Sequence, residues 1–270
     1  MPSPADEIAR LAASAASSMP GSVEAPRRPT GYWNATKSAT YGFVAALPLF
    51  VLYEVGILLA NSGPGEIRVG ADVWLKTILA SVGGMGWAAV GAVVLMIGAG
   101  VWWYERDRRP EIVPRYFALL VAESLAYAVI LALLVGGTVG ALFGVWAVPD
   151  LVLAQLDELG LGLQLALSIG AGLYEELVFR VLLVGGLFWA FKRVTALDQN
   201  RAYLVAAVFG AIVFSGVHHV GPFGDPFTLP VFTFRFLFGL ALNAVFLLRG
   251  FALAAWTHAL YDVLVVTGGL

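Results

Sequence analysis

Residues 116–147 read YFALLVAESLAYAVILALLVGGTVGALFGVWA, and apart from two tyrosines Glu123 is their single ionisable side chain. A helix rises about 1.5 Å per residue, so roughly 20 apolar residues cross the ~30 Å hydrocarbon layer of a bilayer. This stretch exceeds that length, which makes lipid rather than water its solvent. Working outward, the same reading applies to 39–60, 73–104, 161–191, 202–219, 230–248 and 250–268. The expected fold class is all-α, a polytopic integral membrane helix bundle with 7-8 transmembrane helices. The eighth arises if a long stretch is divided, and glycines mark where it would break: Gly83, Gly84 and Gly86 in one, Gly185 and Gly186 in another. Residues 1–38, rich in Ala, Ser and Pro, are expected to form a loosely ordered N-terminal tail, and 39–270 the transmembrane domain with its catalytic core in 161–268.

Composition agrees. The chain is 60% apolar and 13% charged, against about 25% charged in an average soluble domain. With 16 basic and 18 acidic residues it has no cationic face to neutralise a phosphate backbone, so nucleic acid is excluded as a partner. Cysteine is absent, which removes disulfides, thiolate nucleophiles and Cys-based zinc sites. Basic residues fill alternate breaks: Arg27, Arg28 and Lys37, then Arg106, Arg108, Arg109 and Arg115, then Lys192, Arg193 and Arg201, then Arg249. The intervening breaks hold only Arg68. By the positive-inside rule the N-terminus is cytoplasmic and the loop 220–229 faces outward.

Ionisable residues inside apolar spans cost about 2.5–3.5 kcal/mol each at a helix centre, so they face a polar interior. The fourth span holds Glu175, Glu176 and Arg180. Helical spacing puts Glu176 and Arg180 on one face as an ion pair and turns Glu175 aside. A packing salt bridge accounts for the pair but not for the second glutamate. His218 and His219 end the fifth span, and His258 and Asp262, four apart, share a face of the last. A carboxylate, an imidazole and a His–Asp face on three spans supply the groups for acid–base work on one small object.

These motifs, Glu175-Glu176-x-x-x-Arg180, Phe214-x-x-x-His218, a Phe- and Gly-rich helix from Phe232 through Gly239 to Asn243, and His258-x-x-x-Asp262, resemble in order those of the CPBP intramembrane proteases, which include the CAAX-prenyl endoproteases and the Abi or bacteriocin-processing proteins. The resemblance covers roughly 165–268. It implies an intramembrane endopeptidase in which Glu175 activates water, His218 holds that water, Arg180 anchors Glu176, and His258 with residue 262 stabilises the oxyanion. Many members have Asn where this chain has Asp262; an ionised Asp cannot donate, so Asp262 orients His258 or carries a proton. His219 matches no role in the motif but neighbours His218 closely enough to be its alternative. No cofactor is required on this reading; a zinc ion held by Glu175, His218 and His258 is the alternative. The expected partners are the lipid bilayer and a membrane-anchored protein or peptide substrate, as in the myxosortase-like trimming of a C-terminal sorting signal, at a bacterial inner membrane. The rivals are a membrane transporter or channel, for which Glu54, Glu123 and Arg235 are unabsorbed charges with Glu54 and Arg235 a candidate pair, and a non-catalytic immunity or scaffold protein. A transporter's two similar halves are not evident.

Overall fold

The computed structural model describes residues 31–60, 67–81, 83, 86–145, 159–221 and 224–269. Among them are only helices: α1 Tyr32–Thr36, α2 Ala39–Ala60, α3 Gly70–Ser81, α4 Gly86–Tyr104, α5 Pro114–Phe143, α6 Leu161–Gly170, a wide helix Ala171–Val184, α7 Gly185–Val194, α8 Gln199–Val217, α9 Leu229–Arg249 and α10 Phe251–Val266. Four of them, α2, α5, α8 and α9, are long and apolar enough to cross a membrane. Two shorter apolar helices, Ala89–Tyr104 and Phe251–Val266, accompany them. The molecule is a helical membrane bundle.

Two of the long stretches end differently from each other. The stretch 73–104 is divided: α3, about 18 Å long, stops at Ser81 and α4 starts at Gly86, with Gly83 between them at φ +88°. The stretch 161–191 is not divided. Gly185 and Gly186 continue the helix, and the irregularity falls earlier, where Ala171–Val184 widens to i→i+5 bonding. Such widening is rare and gathers at functional sites.

Helix α10 is the axis of the bundle, packed against α2, α5, α6, α9 and the wide helix. Its small side chains Ala252, Ala254, Ala255 and Ala259 are buried, which lets neighbouring backbones come close where hydrophobicity gives no preference between protein and lipid. The closest approach is at Gly172, where a Cβ would lie 2.5 Å from the Ala255 carbonyl oxygen and 2.6 Å from the Ala259 nitrogen. Local sequence sets the helix ends: Asp198 caps α8 by accepting from the Arg201 N–H at 3.0 Å, and Thr228 begins α9 with Pro230 in its first turn.

At the opposite end from the 220–229 loop, polar groups fasten the bundle. Glu105 accepts from the N–H groups of Ala39 and Thr40 and from the Thr40 hydroxyl, at 2.9, 2.9 and 2.6 Å. It thereby caps α2 from a distant part of the chain. Arg249, counted with the loop cations on sequence, is instead 1% exposed. Its guanidinium binds both oxygens of Glu123 at 2.6 and 2.8 Å and the Trp33 carbonyl at 2.9 Å, with the Trp33 ring beneath it. Most of the stretch expected to form the tail lies outside the described residues; its end, Tyr32–Thr36, is the helix α1 held by this arginine.

Candidate active site

Glu175 and Glu176 lie on the wide helix, His218 at the C-terminal cap of α8, and His258 and Asp262 on α10. Three features bring them together. Gly172 admits α10 to the wide helix one turn before the glutamates. Bonds from the Asn243 amide to the Ala207 carbonyl at 3.0 Å, and from the Ser215 hydroxyl to the Phe232 carbonyl at 2.7 Å, lock α8 to α9. The Phe214 ring stands at the centre, 4.9 Å from the ring of His218, 6.0 Å from that of His258, and 4.5 Å beneath the Arg180 guanidinium.

The structure brings together all six residues expected from sequence. Arg180 Nε is 3.0 Å from Glu176 Oε2, both side chains being at most 1% exposed. The other oxygen of Glu176 accepts from Nδ1 of His258 at 2.8 Å, a contact the sequence does not disclose. Glu176 is therefore more than the partner of Arg180; it fixes the imidazole of a different helix. Nε2 of His258 then points toward Asp262, 3.6 Å away. His218 gives its Nδ1–H to the Phe214 carbonyl at 2.6 Å. A carbonyl only accepts, so Nδ1 holds the proton and Nε2 is left with its lone pair. That Nε2 faces Glu175 Oε2 at 3.6 Å, too far for a direct bond. The same Glu175 oxygen makes no hydrogen bond among the described residues although it is buried.

His219 turns away from the carboxylates. Its Nδ1 binds the Asp225 carbonyl at 3.0 Å, and its ring packs on Phe227 and Phe232. Next to it Asp225 pairs with Arg235 and gives its backbone N–H to the His218 carbonyl at 2.8 Å. This corrects the pairing suggested by the apolar spans: Arg235 is bound to Asp225, not Glu54. Glu54 belongs to a second cluster behind the wide helix, with Arg68 at 3.1 Å, Lys76 at 2.8 Å and the Tyr174 hydroxyl at 3.0 Å. The sequence gives no signal for Gly172 or for the Asp225–Arg235 pair, since each depends on which helices meet.

Among the described residues no group of three or more His, Asp or Glu side chains is arranged to hold a metal ion. Nδ1 of His258 bonds to Glu176 and Nδ1 of His218 to a carbonyl, and each ring keeps its Nε2 toward the site. The chemistry proposed below uses water and side chains alone.

Residues 157–264 match the family model Rce1-like, type II CAAX prenyl endopeptidase Rce1-like. This segment is an Rce1-like domain. It begins just before α6 and ends within α10, so it holds every residue named above from Glu175 to Asp262. No curated protein and no solved structure matches the chain. The match supports a CAAX-type intramembrane endopeptidase, a class of enzyme that acts on membrane-associated substrates.

Proposed function

We propose that the Rce1-like domain hydrolyses a peptide bond near the terminus of a membrane-anchored protein, using a water activated by Glu175. The observation that carries this is the facing pair Glu175 and His218, 3.6 Å apart on separate helices and without a direct bond. A single water reaches both atoms, donating one proton toward Glu175 and the other toward His218 Nε2. Glu175 takes the first proton as the water oxygen attacks the scissile carbonyl carbon, and the carbonyl electron pair moves onto its oxygen. His258, held between the carboxylates of Glu176 and Asp262, carries protons on both nitrogens and gives Nε2–H to that oxyanion. Collapse breaks the C–N bond while Glu175 returns its proton to the departing amine. Asp262 acts by its charge and not as a donor, which suits an aspartate at this position. Arg180 acts only through Glu176.

The test is cleavage of a membrane-anchored reporter peptide by the reconstituted protein. Glu175→Gln keeps the shape of the side chain and removes the base, so cleavage is expected to fall by about 10²–10⁴. His219→Ala is expected to cleave within a few-fold of the parent. Retained activity in Glu175→Gln would end the assignment.

The site lies toward the end of the bundle that carries His218 and the 220–229 loop, away from the basic belt of Arg106, Arg108, Arg109 and Arg193. By the positive-inside rule it opens to the outer face of a bacterial cell membrane. Trimming of a C-terminal sorting helix fits such an opening, and a reporter fused in loop 220–229 that is active only outside the cell is the expected result.

A further inference from the structure

A cavity of about 1010 Å³ lies on the far side of the wide helix from Glu176 and takes no part in the chemistry above. Its walls come from α2, α3, α4 and the wide helix, with Leu47, Leu79, Val94 and Leu177 among them. It is long as well as wide. Along α4 its lining runs from Val90 to Tyr104, about 21 Å at helical rise, longer than the ~15 Å leaflet of a ~30 Å hydrocarbon layer. At the deep end Asp72, Lys76 and Tyr174 close it through the Glu54 cluster.

The open end is different. Lys37 and Arg108 line it, flanking the junction where Glu105 caps α2. Glu105 directs its oxygens to that cap, and neither cation is joined to a carboxylate among the described residues; Arg108 lies over the Tyr104 ring at 4.8 Å. Trp102, Trp103 and Tyr104 are more than half exposed beside them, with Arg106 and Arg109 over the two tryptophans. Aromatic rings bearing cations mark the headgroup level of a bilayer. The cavity thus has a positively charged mouth at the headgroups and an apolar shaft as deep as one acyl chain.

We infer that this cavity is a binding site for an anionic phospholipid of the bilayer, whose phosphate is held by Lys37 and Arg108 and whose acyl chain lies between α4 and the wide helix. The occupant is a lipid and not a peptide because the walls offer few polar groups to satisfy a peptide backbone. It is anionic because the mouth carries two cations against one carboxylate, Glu105, whose oxygens are turned to the α2 cap, which leaves a net positive charge. The bound chain touches Leu173, Tyr174 and Leu177, residues of the same helix that presents Glu175, so the lipid braces that helix from behind.

The experiment uses the full chain purified in detergent and titrated with phosphatidylglycerol or phosphatidylcholine of identical acyl chains, binding being read by native mass spectrometry. One phosphatidylglycerol is expected to bind more tightly than phosphatidylcholine. The double variant Lys37→Gln with Arg108→Gln, both at the surface, is expected to weaken phosphatidylglycerol by about 25-fold, five-fold for each cation, and phosphatidylcholine, whose choline offsets its phosphate, by much less. Val94→Trp, which fills the shaft, is expected to weaken both lipids. Equal binding of the two lipids by the parent chain, or phosphatidylglycerol binding unaltered in the double variant, would overturn the inference. So would undiminished binding of both lipids by a Val94→Trp chain whose helical circular dichroism matches the parent.

Discussion

Two groups of charges lie inside the apolar bundle, one on either side of the wide helix, and they are built on opposite plans. In the group around Glu54, two acids, Glu54 and Asp72, meet two bases, Arg68 and Lys76, at 2.8 to 3.1 Å, and the hydroxyls of Tyr53 and Tyr174 add bonds to the same carboxylates. Charge cancels within the group. In the group around Glu175, three acids and two histidines share one arginine, and the Glu175 and Asp262 contacts to histidine are both 3.6 Å. Interrupted geometry of this kind leaves oxygen and nitrogen atoms able to act on something else. Membrane-buried charge therefore does not by itself mark function; charge whose partners are incomplete does.

That contrast can be broken by substitution, beginning with the largest effect. Arg180→Met removes the cation from a fully buried pair and is expected to cost about 3–5 kcal/mol of stability along with cleavage, because Glu176 no longer holds His258; thermal unfolding in detergent and the reporter assay read the two losses. Glu175→Gln, by comparison, should unfold at the temperature of the parent while no longer cleaving. Gly172→Ala drives a methyl into the Ala255 carbonyl and is expected to cost about 1–3 kcal/mol and to lower kcat with little change in KM, since it separates the glutamates from His258. Glu54→Gln should show the reverse pattern, a loss of about 1–3 kcal/mol from an unbalanced buried cation with cleavage retained. Leu95→Ala, on the exposed face of α4, is expected to change stability by no more than about 0.5 kcal/mol. Were Glu54→Gln to abolish cleavage while leaving unfolding untouched, the two groups would no longer differ in kind.

Much of this organisation is legible in the sequence because lipid imposes a simple rule on length. Apolar runs give the spans, and the helix Ala39–Ala60 falls where the pattern places it. The Glu176–Arg180 pair is legible for a similar reason, since neighbours four apart meet within one helix. What joins different helices is not legible. The Glu176–His258 bond links residues 82 positions apart, and nothing in either local pattern announces it. The motif favours His218 over His219 but does not show why; α8 is capped at His218, whose ring bonds back to Phe214 and faces Glu175, while His219 bonds forward to Asp225. Arg249 misleads because a basic residue at the end of a span reads as a loop marker, whereas here the chain of α1 folds over it.

The helix α4 is clasped to the rest of the protein at its Glu105 end and leans on α2 where Gly98 meets the Phe43 ring, a Cβ there coming within 2.9 Å of the ring edge. Most of its other described side chains, Leu95, Met96, Trp102 and Trp103 among them, are exposed. Fastened at one point and resting on another, it has few ties to the rest of the described bundle. A thicker or thinner bilayer is expected to be met first by a tilt of this outrigger, before the catalytic helices are displaced.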